Sequence, residues 1–303
     1  MPSSPEISAS REFAPPRPVP VMVQNGVNLL VVAPWSESPN APWLWHGFST
    51  RIGGLSRAYS TDGASGELNL GFTASDDRET VAHNRRLLVE AVTGNADPPL
   101  ITLRQVHSTV VVLANASNAG QQTPCEGDGL ITAEPGLLLG VQTADCIPVL
   151  VADRKRRVVA AFHAGWRGTV NGIVESGVGR MQREFCSQPE DLTAAIGPGI
   201  GPCCYAVGEE VLSSFLAQFA YARDLFHETP QIDPYTKRPS LHVDLVEANR
   251  RQLLAAGLAP SAIHRTGGCT HCMHDLFFSH RASHGHAGRM MSVIGIRPDG
   301  VPR

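Results

Sequence analysis

The sequence has no apolar run long enough to cross a membrane. Its opening segment, Pro2–Pro20, is polar and proline-rich and has no apolar stretch of the signal-peptide kind. Neither sign of charge dominates: 25 lysines and arginines stand against 28 aspartates and glutamates, a net charge of −3. That balance gives no electrostatic case for nucleic acid or an anionic membrane as a partner. There is no internal repeat, no block of like charge and no Pro/Ser linker. Seven cysteines are an odd number in a long chain without a secretion signal. Free thiols in a reducing, cytoplasmic setting, some of them bound to metal, are therefore expected rather than a disulfide framework.

What is present is a globular composition, 42% hydrophobic and 17% charged over 303 residues, enough to bury a large core. With no linker to divide it, the chain reads as a flexible leader over residues 1–20 and one compact domain over 21–303. It is expected to be a monomer or a homodimer.

The chain is organised around residues 137–168. Leu137–Val141, Ile147–Val151 and Val158–Phe162 are short apolar runs that read as buried strands. Asp145 and Cys146 lie between the first two, and His163 follows the third. Ala144, Ala164, Gly165 and Gly168 are small enough to let backbone or a ligand approach closely. A thiol, an imidazole and a carboxylate at the ends of buried strands suggest a site rather than a surface.

Around this segment, Val21–Val32 reads as a hairpin about Asn25-Gly26. Arg51 stands before Gly53-Gly54, in a loop able to approach an anion or serve as a plain turn. Asp76–Val92 reads as a helix capped by Asp76. Residues 101–113 read as one or two strands with His107 in the middle. A helix is expected after Gly168 with Thr169 as cap, which places Arg167 just before a helix N-terminus, where an anion is favoured. Residues 197–205 lack the strand–helix frame of a dinucleotide fingerprint and read as a structured loop lining a pocket. Residues 221–241 form a polar excursion. Asp244 and Glu247 resemble a capping box, and that helix ends at Gly257. Met290–Ile296 is the last strand.

Two metal sites compete. One uses Cys269, His271, Cys272 and His274. Six residues are a cramped source of four tetrahedral ligands, and no second Cys-x-x-Cys pair stands at a distance. The other uses His107, Cys146 and His163, from three separate segments. Two imidazoles and a thiolate suit zinc, and three protein ligands leave a fourth position open, the catalytic pattern. Cys125, Cys203 and Cys204 read as structural thiols.

Several motifs carry a family resemblance: Gln105-Val-His107, Thr143-Ala-Asp-Cys146-Ile-Pro-Val-Leu, and His163-Ala-Gly-Trp-Arg-Gly168. Gly47-Phe-Ser-Thr-Arg51, Asn69-Leu-Gly71, Gly127-Asp128, Cys203-Cys-Tyr205, Phe277-Phe-Ser279 and Gly288-Arg289 add to them. Over roughly residues 46–296 the chain resembles the laccase-domain (YfiH-like) family. Its members were first called polyphenol oxidases. They are now associated with zinc-dependent purine nucleoside phosphorylase activity, often with adenosine deaminase and methylthioadenosine phosphorylase activity. The resemblance implies an α/β (α+β) fold of mixed sheets covered by helices. It also implies one zinc per chain on His107, Cys146 and His163, and purine nucleoside and inorganic phosphate as small-molecule partners. Departures are Ser108 where glycine is usual, His280-Arg281 with a His-rich turn at 284–286, and a long loop at 57–67. They bear on substrate preference more than on the metal site.

By the same resemblance, Arg51 and Arg167 would cradle phosphate, since guanidinium forks match it bidentately, and Gln105 would contact substrate or phosphate. Asp145 or Asp128 would move the proton in deamination, or serve instead as a hydrogen-bonding support. Two other enzyme classes remain. One is a cysteine hydrolase with Cys146 as nucleophile and a histidine as base, which could include the proofreading of peptidoglycan precursors linked to some bacterial members. The other is a copper polyphenol oxidase, which is disfavoured because oxygen chemistry needs more imidazoles per metal and several coppers.

Overall fold

A computed structural model describes residues 21–298 apart from residue 23 and segments 37–42, 61–65, 119–123 and 233–238. The leader over residues 1–20 lies outside the described residues, as do residues 61–65 of the loop 57–67.

The apolar runs become strands of two six-stranded sheets. In the first, spatial order is Val21–Met22, Asn28–Leu30, Leu44–Ser49, Met290–Ile296, Leu138–Thr143 and Leu100–Thr102. In the second it is Ile263–Arg265, Leu192–Ile196, Ile147–Asp153, Val158–Ala164, Gly129–Thr132 and Val111–Leu113. Each sheet is mixed: Leu100–Thr102 runs parallel to Leu138–Thr143, and both outer strands of the second sheet run parallel to their neighbours.

Strands buried on both faces explain the continuous apolar sequence. Along Ile147–Asp153 and Val158–Ala164, the side chains of Leu150, Ala152, Val159 and Ala161 join Phe48, Leu139, Val141 and Ile294 of the first sheet in one core layer. The alternate side chains, Val149, Val151, Ala160 and Phe162, pack outward on helices Ile173–Phe185 and Leu245–Ala255. The outer face of the first sheet, with Leu29, Trp45, Met291 and Val293, is covered by Leu88 and Val89 of helix Arg78–Thr93. The result is helix, sheet, sheet, helices, in one compact domain. Among the described residues no helix is long and apolar enough to cross a membrane.

Several local expectations change. The cap of helix Arg78–Thr93 is Asp77, whose Oδ2 accepts from Thr80 N at 2.8 Å, while Asp76 instead accepts from Asn69 Nδ2. Residues 221–241 are not simply irregular: Phe226–Ile232 pairs antiparallel with Pro239–Val243. Thr169 caps nothing. A five-residue helix, Trp166–Val170, begins directly after Gly165, so Arg167 lies inside its first turn rather than ahead of it. Asn171 and Gly172 then break the chain, with Gly172 at φ 76°, and the long helix starts afresh at Ile173. Asp244 does cap its helix, accepting from Glu247 N at 2.9 Å, but Glu247 pairs with Arg250 and Arg251 instead of closing the box.

Candidate active site and metal centre

The site forms where the chain passes between sheets. It leaves the first sheet at Thr143 and enters the second at Ile147, so Asp145 and Cys146 occupy the crossing. His107 lies on a second crossing, between Leu100–Thr102 of the first sheet and Val111–Leu113 of the second. It is in a loop, not within a strand. His163 is near the end of Val158–Ala164, paired with Pro148, and the next pair is Ala164 with Ile147. That register sets His163 beside Cys146. The three ligand atoms lie within 4.8 Å of one another, with His107 Nε2 at 3.7 Å from Cys146 Sγ. The rings of His107 and His163 meet edge to face at 4.9 Å.

Asp128 holds this arrangement together. It is fully buried, just before strand Gly129–Thr132, and its carboxylate accepts five hydrogen bonds. Three come from the backbone N–H groups of Val106, His107 and Ser108, at 3.2, 3.0 and 2.6 Å. One comes from Ser108 Oγ at 2.7 Å, and one joins His163 Nδ1 at 2.8 Å. Those bonds offset the left-handed backbone of His107, φ 60°, a conformation that costs a non-glycine residue about 1–3 kcal/mol. They also leave His163 Nε2 as the ring nitrogen available to a metal. Ser108, a departure from the family pattern, thus contributes both its amide and its hydroxyl.

Electrostatics follow from burial and neighbours. Burial pushes the Cys146 thiol up, but the charge of His163 and the hydrogen bond from His107 outweigh it, and the thiol falls to about 6. Burial pushes His163 down, but the Cys146 thiolate and Asp128 outweigh it and raise the imidazole to about 9. Asp128, desolvated yet bonded to His163 and Ser108, is held well below the usual carboxylate range. Without metal, the pair is thiolate and imidazolium.

The donor set suits a borderline-soft divalent ion: two imidazoles and a thiolate, oriented by a carboxylate behind one histidine. Room is kept for it by Gly165, where a Cβ would come within 2.7 Å of His107 Cδ2 and 2.9 Å of Cys146 Sγ. A cavity of about 410 Å³ opens on these ligands. Its wall also carries Gln105, Gln142, Thr143, Arg104, His280 and Arg289. Gln105 is clasped to the edge of the first sheet, its Nε2 donating to Gln142 O and its Oε1 accepting from Gln142 N, both at 2.7 Å.

Other expected site residues are placed differently. Arg51 is committed to Glu67 and to the carbonyls of His274 and Tyr59, with its guanidinium 4.8 Å from the centre of the Phe278 ring. Arg167 stacks on Trp166 at 4.4 Å. Neither is among the cavity-lining residues, whose arginines are Arg104 and Arg289. Arg104 is paired with Glu126. The Gly288-Arg289 motif could have pointed to Arg289, but nothing in its spacing set it apart from Arg51. Asp145 is buried with φ 92°, and its two oxygens accept from Thr270 Oγ1 at 2.6 Å and Arg281 N at 2.7 Å. Both aspartates therefore have their carboxylates occupied by structural bonds.

Fold and site together define an α/β protein with a His–Cys–His metal-competent cluster at the crossing of two sheets. The family described as “Multi-copper polyphenol oxidoreductase laccase” matches residues 45–297. “Purine nucleoside phosphorylase YlmD” of Geobacillus stearothermophilus is 38% identical over 259 residues, 84% of this chain and 90% of that protein. “Adenosine deaminase RL5”, from an unknown prokaryotic organism, is 33% identical over 233 residues, 75% of this chain and 86% of its own. The crystal structure of Bacillus licheniformis hypothetical protein YfiH superposes with a TM-score of 0.78 at 30% identity, covering 92% of this chain and 99% of that one. The chain belongs to the laccase-domain (YfiH-like) family, whose named relatives are enzymes.

Proposed function

We propose that the protein is a zinc-dependent purine nucleoside phosphorylase working at the His107–Cys146–His163 cluster. Phosphate attacks the anomeric carbon of adenosine, inosine, guanosine or methylthioadenosine, releasing the free base and the pentose 1-phosphate. The observation that carries this reading is the convergence of two imidazoles and a thiol on one cavity, in a chain whose relatives are named for that activity. The cavity falls within the range of about 300–1,000 Å³ common for small-molecule sites. Zinc would supply Lewis-acid polarisation of the substrate.

The chain's own residues supply the rest. Asp128 fixes the His163 ring and the His107 loop. Asp145 is a positioning residue, tying the Cys146 turn to Thr270 and Arg281. Gln105 holds the cavity edge at Gln142 and presents its amide to substrate. Arg289 offers a guanidinium for phosphate on the cavity wall, beside His280, in place of Arg51 and Arg167. All seven cysteines are free thiols, in keeping with a cytoplasmic setting.

A second activity, deamination of adenosine, is supported by the relative named as an adenosine deaminase. Water would replace the amine on the purine ring at the same site. A cysteine hydrolase is favoured by one observation, the Cys146 thiolate beside a His163 that leans on Asp128. Metal content separates the two, because a thiolate tied to zinc is a poor free nucleophile. Copper oxidase chemistry lacks its imidazoles: the other metal-competent cluster among the described residues is all thiol.

The test is to incubate zinc-loaded protein with adenosine, with and without phosphate, and identify the products. Adenine and ribose 1-phosphate only with phosphate support phosphorolysis, and inosine in either case supports deamination. Neither product above a His163→Ala control would end the assignment and raise the hydrolase reading.

A further inference from the structure

The sequence set Cys269, His271, Cys272 and His274 together as a possible cluster and found no distant pair to complete it. The structure supplies that pair. Cys203 and Cys204 join Cys269 and Cys272, with all four Sγ atoms within 4.8 Å of one another, and neither histidine takes part. Cys272 Sγ is 3.6 Å from Cys203 Sγ and 3.3 Å from Cys204 Sγ. We propose that these four cysteines form a second zinc site, a closed tetrathiolate of structural type, independent of the His107–Cys146–His163 centre.

Four arguments support it. Zinc–thiolate bonds of about 2.3 Å in a tetrahedron put sulfurs roughly 3.8 Å apart, close to the spacing here. Cys272 Sγ has two other sulfurs as neighbours, and soft sulfur ligands select zinc among the common divalent ions. The backbone is shaped to present them. Cys204 N donates to Gly201 O at 3.0 Å and Met273 N to Cys269 O at 3.0 Å, so each pair sits on a tight turn. Gly201 N donates to Cys269 Sγ at 3.2 Å, the kind of N–H···S contact that supports a metal thiolate. Finally, a Cβ on Gly201 would lie 3.2 Å from Cys269 Cβ and 3.3 Å from Cys203 Sγ, so glycine leaves the sulfurs room. With four protein ligands there is no open position, the pattern of a structural rather than a catalytic zinc.

The site's place in the fold gives it a purpose. It joins the loop after strand Leu192–Ile196 to the loop after Ile263–Arg265, two segments that also meet at the Gly199–Cys269 bridge. Thr270, between the two cysteines of the second pair, donates through N to Gly199 O at 3.0 Å and through Oγ1 to Asp145 Oδ1. Ile200 N donates to Asp145 O at 2.8 Å. The staple therefore secures the wall that carries the Asp145–Cys146 turn.

The experiment measures zinc per chain on the full protein purified under reducing conditions without chelator. Wild type should hold two, Cys146→Ala one, and Cys203→Ser with Cys272→Ser one. Because the double variant could fail to fold, the Cys146→Ala protein is also loaded with cobalt(II). It should show an intense sulfur-to-cobalt charge-transfer band, although the other centre's thiolate has been removed. On the wild type, mercurial titration should release zinc in two stages. One zinc in wild type and none in Cys146→Ala, no charge-transfer band in the cobalt-loaded variant, iron in place of zinc, or a disulfide between Cys272 and Cys203 or Cys204 in the reduced preparation would each overturn the proposal. Loss of phosphorylase activity alone, with two zincs retained, would count against the functional reading and leave this site standing.

Discussion

His163 Nδ1 lies 2.8 Å from Asp128 Oδ1, and both side chains are buried. The same carboxylate accepts from the backbone of the His107 loop, so one charge sets two of the three candidate metal ligands. A carboxylate in this position fixes the tautomer and raises the basicity of the ligand it touches.

Replacing Asp128 with Asn keeps the shape and removes the charge. The expected result is weaker zinc binding by about 10–100-fold, measured by competition with a chelator. Unchanged affinity would mean that Asp128 supports the loop without tuning the metal.

The pH dependence of zinc binding follows from the two coupled groups. Between about 6 and about 9 the metal-free site holds a Cys146 thiolate and a His163 imidazolium. Zinc needs the neutral Nε2 of His163, so one proton leaves on binding, and affinity should rise about tenfold per pH unit across that window. Above the upper limit it should level off. Below the lower limit two protons must leave and the slope should double. A flat profile between those limits would remove His163 from the ligand set.

Gly165 has an ordinary extended backbone, φ −69° and ψ 171°, that alanine also adopts, so its role is spatial. Gly165→Ala would press a methyl group against His107 and Cys146. The expected outcome is a folded protein, by circular dichroism, that has lost most of the catalytic-site zinc. Full zinc and full activity would show that the ligands move aside freely.

Phosphate handling separates the arginines. Arg289→Lys keeps charge but loses the planar fork, so it should raise the phosphate concentration needed for half-maximal phosphorolysis while leaving phosphate-independent deamination less affected. Arg51→Lys should change phosphate saturation little, because Arg51 is already bound to Glu67 and two carbonyls. The opposite ranking would return phosphate to Arg51.

Cys146→Ala should strip the catalytic zinc and abolish turnover of adenosine. A converse measurement guards against the hydrolase reading: Cys146 should resist alkylation in zinc-loaded protein and react readily after chelation. Rapid alkylation of the loaded protein, with zinc retained, would favour a free nucleophile.

The strands around the site and the side chains of the His107–Cys146–His163 cluster are legible in the sequence. The runs at 137–141, 147–151 and 158–162 are apolar on both faces, and that pattern permits little except buried strands. Met290–Ile296 and the Asp244 cap were equally legible, because each depends on neighbours a few residues away. Cys146 and His163 stand out as a thiol and an imidazole at strand ends, and His107 through the company of those two. Which distant residues meet is set by the packed fold. His107 reaches Cys146 because two loops cross between the same pair of sheets, and Asp128 binds both histidines because strand Gly129–Thr132 lies beside Val158–Ala164. Cys203 and Cys204 complete Cys269 and Cys272 across a separation of more than sixty residues. Arg51 is occupied for a similar reason, since the carbonyl it meets at His274 is far along the chain. Local periodicity records which face of an element is buried. The register of sheet pairing, which sets contacts between segments remote in sequence, is chosen by the packing of the whole core.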